Sequence, residues 1–390
     1  MKESDIRVLF VLPIVGHPLY SKRITMLQEV GFSVEAVAFE RNHPEGRLPD
    51  CPVVRLGKLA DGQYLRRILK LLAALPACRR AIRRSTVVFA SGSDMAMFAV
   101  IAALGTGRPV IVEVADIQRI QVANGMKGWL VRLIEGCAVS RCRLMLVTAP
   151  GFVERYYRGW LHINTPTMVL ENKLEASTAR FDTYEIPPSL KGTPLLDRPL
   201  RIGYFGVLRC DWSWRVLEAL ASSRPEELEV VVAGYATNPK DLPERAARLA
   251  NVEFRGAYAS PGDLPKLYGD VDLVWACYPS PEVCDPKWRW AQAVCRSNRF
   301  YESCFFKKPI LTMANSGDSF DVERYGIGIV IHNPEVQGIW TSLSNITLHD
   351  WTQLKANLSR LPRSVYTYTT EAEELAAVIR RMAADRMACD

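Results

Sequence analysis

The sequence lacks several features that assign a chain to a class at once. No stretch of its 390 residues approaches the ~20 consecutive apolar residues that a membrane-spanning helix needs. Its ten cysteines include no pair in CxxC spacing, which favours reduced thiols of a cytoplasmic protein and argues against a zinc site. No GxGxxG motif occurs, and this absence argues against an oxidoreductase that binds a nicotinamide or flavin dinucleotide.

The length and the apolar content of the chain predict two domains. With 390 residues, of which 48% are hydrophobic, the chain is able to bury two cores of roughly 190 residues each. The first apolar run, residues 8–15, follows Glu3 and Asp5 and is too short for a signal peptide. We therefore interpret this run as the first buried strand.

Basic residues are concentrated in the first half of the chain. Residues 1–195 contain 26 lysines and arginines against 17 aspartates and glutamates, whereas the remainder contains 23 against 25. Part of this excess lies in residues 64–84, where leucines share one helical face beside arginines and Pro76 predicts a break in the helix. Such a segment suits an anionic membrane surface, where each cation contributes about 1 kcal/mol. The alternative is a surface helix whose apolar face packs on a sheet. Nucleic acid is not expected as a partner, because stacking aromatic residues are not interleaved with the cations.

Apolar runs alternate with helical periodicity along both halves of the chain. This alternation predicts two mainly parallel sheets with helices on both faces, hence two Rossmann-like domains. The predicted strands are residues 6–12, 33–38, 87–90, 109–114 and 144–147 in the first half, and 200–205, 228–233, 252–254, 271–276, 309–313 and 328–331 in the second.

A segment rich in proline and glycine, residues 178–198, predicts the linker between the two domains. We therefore place the domains at 1–185 and 186–370, and a final helix at 371–390. A cleft between two such domains is the expected position of an active site.

The stretch of residues 296–331 carries the most specific pattern. Asn298 is predicted to cap a helix that ends at residues 307–309, and a short buried strand and a polar loop follow. Open α/β sheets bind ligands at the carboxyl ends of such strands, and Arg299 and Glu302 lie near the start of the preceding helix. A cation and a carboxylate at this edge suit a ligand with both phosphate and sugar hydroxyl groups.

This stretch resembles the nucleotide-sugar signature of bacterial GT-B glycosyltransferases, especially those of the family 4 type. The resemblance implies an α/β protein whose two parallel sheets face each other across a cleft, with a C-terminal helix that crosses back to the first domain. In that family a glutamate holds the ribose hydroxyls of the donor, and Glu302 occupies its position. The paired acidic residue of the family would stand at position 294, where this chain has Val294. We assign Asn298, Arg299 and Glu302 to the donor site.

The turn after the first strand of the second domain resembles the phosphate-binding turn of that family. Gly206 lets the backbone approach a pyrophosphate, and a helix predicted from about Ser213 offers free N–H groups at its start. The arginine and lysine positions of the family hold Val207 and Trp212 here. Arg209 is therefore predicted as the only local cation for the donor diphosphate.

Further donor contacts are predicted from other loops. Lys287 and Arg289 lie beside two tryptophans, a composition that suits clamping of phosphate and stacking on a base or sugar. The alternative is that these tryptophans pack against the inter-domain face. Tyr258 follows a predicted strand at a position that holds the nucleobase in relatives.

No metal and no other cofactor are predicted. The triplet at residues 270–272 resembles the metal-binding DxD of a different glycosyltransferase fold, but here it opens a predicted buried strand. Cationic side chains and a helix dipole are able to neutralise a leaving diphosphate without a metal ion.

The first domain is predicted to hold the acceptor. The loop after its first strand resembles the acceptor-side loop of the family, which places Gly16 near the donor phosphates. The same loop makes His17 and Arg23 available to anionic groups of the ligand.

Asp116 is the predicted catalytic residue, with Glu113 as the second choice. Many relatives carry a His-Asp pair at the carboxyl end of this strand, whereas this chain has Ala115 before Asp116. If the reaction inverts the anomeric carbon, Asp116 is the general base that deprotonates the acceptor hydroxyl. If the reaction retains configuration, Asp116 orients the acceptor and the departing phosphate takes the proton. The alternative role of Asp116 is to cap the next helix.

The residues and the resemblance together predict a metal-independent glycosyltransferase. We expect it to move a sugar from a UDP- or GDP-sugar to a hydroxyl group of a lipid-linked or other saccharide, in surface or exopolysaccharide biosynthesis. Its expected location is the cytoplasm, including the inner face of the cell membrane as a peripheral protein. The alternatives are a GT-B sugar-nucleotide epimerase, which needs no acceptor, a Rossmann-type oxidoreductase and a non-catalytic binding protein.

Overall fold

The chain divides into two compact units in the computed structural model. Unit 1 comprises Met1–Asn172 and Thr370–Asp390, and unit 2 comprises Lys173–Thr369. The predicted boundary between residues 185 and 186 lies outside the described residues and stays a prediction. The structure describes residues 6–40, 48–58, 64–175, 178, 192–279 and 293–387, with the side chains of all of these except 64–66 and 387.

The described strands of unit 1 form one parallel sheet of seven. They are β1 (Arg7–Leu12), β2 (Ser33–Glu40), β3 (Val53–Lys58), β4 (Val87–Ser91), β5 (Val110–Val114), β6 (Leu144–Val147) and β7 (Thr167–Val169). Their order across the sheet is β3-β2-β1-β4-β5-β6-β7. The chain thus builds outward from β1 in one direction and then reverses between β1 and β4, which is the topology of a doubly wound domain.

The described strands of unit 2 form a second parallel sheet, of six. They are β8 (Leu200–Leu208), β9 (Leu228–Ala236), β10 (Val252–Phe254), β11 (Leu273–Trp275), β12 (Ile310–Met313) and β13 (Gly328–Ile331). Their order is β10-β9-β8-β11-β12-β13, so the direction of building reverses between β8 and β11. Both sheets agree with the prediction of two Rossmann-like domains.

The helices connect these strands and cover the sheets. In unit 1 they are α1 (Pro18–Glu29), α2 (Tyr64–Arg84), α3 (Ser93–Ala103), α4 (Met126–Val139) and a π-helix (Phe152–Arg158). In unit 2 they are α5 (Asp211–Ser223), α6 (Leu242–Ala246), α7 (Leu264–Gly269), α8 (Asn298–Phe305), α9 (Ser319–Tyr325), α10 (Val336–Ser344), α11 (Leu348–Arg360) and a 3₁₀ turn (Arg363–Val365). The last helix, α12 (Glu371–Met387), returns to unit 1, as predicted.

Several strands are continuous apolar runs without alternation, which is the pattern of sheets that are covered on both faces. All five residues of β4 and all five of β5 are buried, including the charged Glu113 of β5. A strand buried on both sides reads as a continuous apolar run, whereas a strand with one wet face alternates. In unit 2 the described core contains four buried tryptophans: Trp214 of α5, Trp275 of β11, Trp340 of α10 and Trp351 of α11.

Every strand predicted from the sequence is present, with ends displaced by at most three residues. Two strands were missed, β3 and β7, and both lie at an edge of the unit 1 sheet. β3 is partly exposed along its whole length, and β7 has only three residues, so neither contains a long apolar run.

Helix α2 differs from its prediction in two respects. It continues through Pro76, so the predicted break is wrong. Pro76 is exposed, and a carbonyl group that loses its N–H partner on the outside of a helix is able to bond water instead. The alternative that the leucine face packs on the sheet is wrong for Ile68, Leu69 and Leu72, which are exposed. None of the described helices is both long enough and apolar enough to cross a bilayer.

Candidate active site

The carboxyl edge of the unit 2 sheet brings several predicted residues together. The strand order reverses between β8 and β11, which are hydrogen-bonded neighbours. Open α/β sheets bind ligands at such a reversal, outside the carboxyl ends of the strands. The helix of a βαβ unit runs antiparallel to its strands, so α8, which leads into β12, begins at this same edge.

Helix α8 begins at a serine cap instead of the predicted asparagine cap. The N-cap is Ser297, whose Oγ accepts a hydrogen bond from the N–H of Phe300 at 3.3 Å, and Asn298 is the first helical residue. Both residue types cap helices, but Ser297 has a further partner in space. Its Oγ donates to Asp318 Oδ2 at 2.6 Å, and its N–H donates to Asp318 Oδ1 at 3.0 Å.

Asp318 is a buried carboxyl group that joins the loop after β12 to the start of α8. Its exposed fraction is 4%. Burial raises the pKa of Asp318 to about 6, although the hydrogen bonds from Ser297 and the charges of Arg296 and Arg299 act in the opposite direction. The carboxyl group therefore titrates close to neutral pH.

Arg299 places a buried guanidinium near the carboxyl end of β8. Its Nε donates to the carbonyl oxygen of Phe205, and its Nη1 donates to the hydroxyl of Tyr278. The guanidinium carbon also lies 5.8 Å from the ring centroid of Tyr204. Arg299 forms no ion pair with any aspartate or glutamate of the described residues. A buried cation that lacks direct contact with a carboxylate is energetically unfavourable, so this position suits an anionic ligand.

Gly206 is the residue that admits this guanidinium. Its φ is +107°, and a Cβ added to it would lie 2.8 Å from Nη2 of Arg299. Gly234, at the corresponding position of the adjacent strand β9, is constrained even more tightly. A Cβ on Gly234 would lie 1.7 Å from the carbonyl oxygen of Gly206. The two glycines therefore allow close approach of backbone and guanidinium where a ligand phosphate is expected.

Glu302 lies one turn after Arg299 on α8. It is half-buried, and its Oε2 accepts a hydrogen bond from the hydroxyl of Tyr268 at 2.5 Å. Burial, and secondly the charge of Glu302, raise the pKa of both Tyr258 and Tyr268, so both hydroxyls are protonated. Arg299 acts on Tyr258 in the opposite direction, which places Tyr258 within reach of both charges. Four predicted donor residues, Gly206, Arg299, Glu302 and Tyr258, thus come together.

The other predicted donor residues are placed differently. Arg209 is exposed, and the prediction that it is the only local cation is wrong, because the guanidinium of Arg299 lies beside Gly206. Asn298 is exposed in the first turn of α8. Lys287 and Arg289 lie outside the described residues.

In unit 1, the carboxyl end of β5 carries a buried ion pair. Arg23 Nε donates to Glu113 Oε1 at 2.7 Å, and each side chain is 1% exposed. Arg23 Nη2 also donates to the carbonyl oxygen of Leu170 at 2.7 Å. The pair fastens α1 to β5 and to the segment after β7. Two residues predicted for separate roles, the acceptor-side Arg23 and the second-choice catalytic Glu113, therefore bind each other.

Asp116 lies two residues beyond the end of β5 and is exposed. The next helix, α4, begins at Met126 with Gly125 as its N-cap. Asp116 therefore does not cap that helix, and the alternative role considered for it is wrong. It lies at the carboxyl edge of the unit 1 sheet.

His17 forms the start of α1. Its Nδ1 accepts a hydrogen bond from the N–H of Leu19 at 3.3 Å, and Gly16 before it has a φ of 82°. An imidazole that accepts through Nδ1 carries its proton on Nε2. The neighbouring Lys22 donates from Nζ to Asn172 Oδ1 at 2.9 Å, so this loop is joined to the segment after β7.

The carboxylates of the triplet at residues 270–272 both bind arginines. Asp270 pairs with Arg255 at 2.7 Å, and Asp272 pairs with Arg198 at 2.6 Å. These pairs give the triplet a structural role at the start of β11. Across the described ranges, no group of three or more histidine, cysteine, aspartate or glutamate residues is arranged to hold a metal ion.

Sequence reasoning missed the residues that surround Arg299 and α8. They are Tyr204, Tyr268, Tyr278, Ser297 and Asp318. The tyrosines come from three separate segments, and nothing in their local sequence distinguishes them from core residues. Asp318 had a usable signal, because it is the single acidic residue in a loop that was predicted to lie at the ligand-binding edge.

Known proteins resemble this chain in sequence and in fold. Residues 24–173 match the family described as a glycosyl transferase 4-like domain. The chain is 26% identical over 387 residues to the succinoglycan biosynthesis protein ExoL of Rhizobium meliloti, covering 97% of this chain and 93% of that protein. Sucrose-phosphate synthase from Thermosynechococcus elongatus superposes with a TM-score of 0.72 at 14% identity, over 97% of this chain and 100% of that one. HepE of Anabaena in complex with UDP and glucose superposes with a TM-score of 0.63 at 14% identity, over 99% and 100%.

The two parallel sheets and these likenesses give the chain the fold of the GT-B glycosyltransferases. The predicted resemblance to family 4-like GT-B enzymes and the predicted fold are thereby confirmed. This class is favoured over the Rossmann-type oxidoreductase that the sequence left open.

The raised pKa of Asp318 predicts that its contribution to stability depends on pH. Its pKa is about 6 in the folded protein against 3.8 ordinarily, so folding favours the protonated form. The contribution is therefore full below about pH 4 and is lost as the pH rises through 6, by up to roughly 3 kcal/mol. The variant Asp318→Asn does not titrate at this position and is the reference. We expect the unfolding midpoint of the wild-type protein to fall relative to that of the variant between about pH 4 and pH 7. A constant difference across this range would contradict the raised pKa.

Proposed function

We propose that the site around Arg299 binds a nucleoside diphosphate sugar, with UDP or GDP as the nucleotide. One observation carries the proposal: a buried guanidinium lies beside Gly206, which is part of strand β8 and not of the predicted turn, and it forms no ion pair with a carboxylate of the residues described. A diphosphate supplies the negative charge that such a site lacks, and a planar guanidinium binds phosphate oxygens through two parallel hydrogen bonds. The similar fold of HepE in a complex with UDP supports a nucleotide of this class.

Glu302 and Tyr258 suit the uncharged parts of the donor. A carboxylate accepts hydrogen bonds from neighbouring sugar hydroxyls, and Tyr268 already fixes one oxygen of Glu302 at 2.5 Å. The ring of Tyr258 offers an apolar surface for the nucleobase. The start of α8, with the exposed Asn298, adds the positive end of a helix dipole. The remaining proposed phosphate ligands are Arg209, Lys287 and Arg289.

We propose that transfer needs neither a metal ion nor an organic cofactor. The departing nucleoside diphosphate gains negative charge as the bond to the sugar breaks. Arg299 and the N-terminus of α8 supply fixed positive charge at the place where that charge develops.

Asp116 is the carboxylate that we propose for the acceptor side. Glu113 is held in a buried ion pair with Arg23, whereas Asp116 is exposed at the same edge of the sheet. In an inverting reaction Asp116 takes the proton of the acceptor hydroxyl, and in a retaining reaction it orients that hydroxyl. His17, which presents an Nε2 proton, and Gly16 complete the proposed acceptor side.

The biological process that we propose is exopolysaccharide biosynthesis, with a lipid-linked saccharide as the acceptor. The relative from Rhizobium meliloti carries the name of a succinoglycan biosynthesis protein, and the match covers nearly all of both chains. A lipid-linked acceptor requires contact with the inner face of the cell membrane. The basic excess of the first half of the chain and the exposed arginines of α2 suit an anionic lipid surface.

The donor proposal predicts selective stabilisation by one nucleoside diphosphate. In thermal-shift measurements with UDP, GDP and their sugars, we expect one series to raise the unfolding midpoint, because a ligand that binds only the native state stabilises it by mass action. Glu302→Ala should weaken binding of that nucleotide about tenfold or more, since it removes hydrogen bonds to a charged acceptor.

The control for this experiment is Glu323→Ala, which removes an exposed carboxylate from α9 and should leave affinity unchanged. Equal loss in both variants, or no stabilisation by any nucleoside diphosphate, would contradict the donor proposal. Conversion of the sugar nucleotide without transfer to any glycan would favour the epimerase.

The role of Asp116 predicts a loss of turnover without a loss of donor binding. Asp116→Asn should lower the rate of sugar transfer about 100-fold or more, because a positioned general base contributes a factor of this size. Glu113→Gln should instead lower the unfolding midpoint, since breaking a buried ion pair costs about 3–5 kcal/mol. Glu29→Gln, on an exposed part of α1, is the control for surface charge. Full turnover in Asp116→Asn would remove Asp116 from the mechanism.

The membrane proposal predicts binding that depends on charge and salt. We expect the protein to co-sediment with vesicles that contain phosphatidylglycerol, and the double variant Arg80→Glu with Arg84→Glu should bind more weakly. Added salt should weaken binding as well, because it screens exposed charges. Lys240→Glu with Lys355→Glu in unit 2 is the matched control, since both lysines are exposed there. Vesicle binding that changes with neither lipid charge nor salt concentration would contradict an electrostatic contribution to membrane binding.

A further inference from the structure

Helix α4 exposes an apolar face that the sequence analysis did not identify. Of its exposed side chains, only Lys127 is charged. Met126 is 83% exposed and Trp129 is 57% exposed, which are high values for residues of this type. The apolar face of α4 comprises Met126, Trp129, Leu130, Leu133 and Ile134.

Neighbouring helices extend this exposed apolar surface. α3 contacts both α4 and α2, and it exposes Ile101 and, just after its end, Leu104. Arg79 Nη1 of α2 donates to the carbonyl oxygens of Ala102 and Leu104 at 2.9 and 2.7 Å, which fixes α2 against the end of α3. α2 adds its own exposed apolar residues, Ile68, Leu69 and Leu72.

The opposite side of α4 is attached to the loop that follows Asp116. Gln121 Nε2 donates to Glu135 Oε1 at 2.6 Å, and Arg132 Nη1 donates to the carbonyl oxygens of Gln121 and Ala123 at 2.9 and 2.8 Å. A Cβ on Gly128 would lie 2.1 Å from the carbonyl oxygen of Ala123, so helix and loop are in direct backbone contact.

Glu135 also anchors α4 to the π-helix. The hydroxyls of Tyr156 and Tyr157 donate to its two carboxylate oxygens, each at 2.7 Å. Glu135 is only 2% exposed and accepts three hydrogen bonds from side chains. Hydrogen bonds and backbone contact therefore join α4 to the loop after Asp116.

A lipid bilayer is the occupant that fits this apolar face. Large apolar side chains with a tryptophan and a basic neighbour are typical of helices that lie in the interface of a bilayer. A second copy of the chain fits less well, because a two-fold interface pairs the same patch on both subunits and would bring together two surfaces that both carry Lys127 and the arginines of α2. The exposed part of α4 contains no acidic residue to compensate such repulsion.

We propose that the apolar face of α4 inserts into the surface of a lipid bilayer and thereby holds the loop after Asp116 at the level of the lipid headgroups. This inference rests on the proposed function only in one respect, namely that Asp116 is the proposed catalytic residue. The attachment itself needs no assumption about the donor, the acceptor or the reaction. α2 then supplies charge attraction, whereas α4 supplies apolar insertion.

The test uses the full-length protein and vesicles of phosphatidylcholine mixed with phosphatidylglycerol. We expect the variant Leu130→Glu with Leu133→Glu to bind these vesicles about tenfold more weakly or worse, because two large apolar contacts are lost. Leu348→Glu is the matched control, since Leu348 is an exposed leucine of unit 2, and its binding should equal that of the wild type. In the wild type, part of the binding should persist at high salt, and the emission of Trp129 should shift to shorter wavelength. Equal binding of the α4 variant and the control would overturn the proposal.

Hydrogen exchange tests the attachment of the loop independently of any activity. Peptides that cover residues 117–135 should exchange more slowly when vesicles are present, while peptides of unit 2 should not change. Vesicle binding without protection of these residues would overturn the placement of the loop. A dimer in size-exclusion chromatography that the α4 variant abolishes, without vesicle binding, would assign the face to a second copy instead. Thermal shift by the nucleoside diphosphate should be the same in all variants, so failure of this inference is distinguishable from failure of the donor proposal.

Discussion

The buried guanidinium of Arg299 is the interaction on which the donor site depends. It joins the end of β8 to the first turn of α8 through the carbonyl oxygen of Phe205, and the hydroxyl of Tyr278 holds its other side. Gly206 exists in a conformation with positive φ and leaves the space that the guanidinium fills. No aspartate or glutamate of the described residues forms an ion pair with it, so the site is electrostatically suited to an anion. The proposed diphosphate would supply negative charge at this place.

The carboxyl edge of the unit 1 sheet also carries a buried arginine, but its surroundings differ from those of Arg299. There the buried arginine, Arg23, does have a carboxylate partner, Glu113, and the pair is sealed from solvent. This ion pair stabilises the connection between α1 and β5. Because its two charges neutralise each other, it does not favour an anionic ligand. The accessible carboxylate, Asp116, lies just beyond the strand, on a loop that α4 holds through Glu135 and Arg132. Unit 2 therefore has a buried cation without a direct ion pair, and unit 1 has an exposed aspartate, Asp116. The proposed function assigns the first to a donor diphosphate and the second to an acceptor hydroxyl.

The sequence predicted the strands well, because buried parallel strands are continuous apolar runs whatever lies around them. It also predicted Arg299 and Glu302 as neighbours, since they are three positions apart on one helix. It did not predict that Arg299 would reach Gly206, because that contact joins segments far apart in the chain. For the same reason the sequence wrongly predicted Arg209 as the only local cation. It also predicted Asn298 as the cap of α8, whereas the cap in the structure is Ser297. The sequence did not predict the Arg23–Glu113 pair or the apolar face of α4. Both depend on which side of a helix or strand is covered by the rest of the fold, and local spacing does not show this.

The most direct test of the account compares the affinities of a nucleoside diphosphate and of the corresponding nucleoside for the wild type and for Arg299→Gln. Isothermal titration gives both affinities, and circular dichroism shows whether the variant is folded. If the guanidinium binds the diphosphate, the variant should bind the diphosphate at least about tenfold more weakly and the nucleoside equally well, because only the charged contact is lost. An equal loss of affinity for both ligands, or no loss for either, would contradict the central claim that Arg299 is the cation of the donor site.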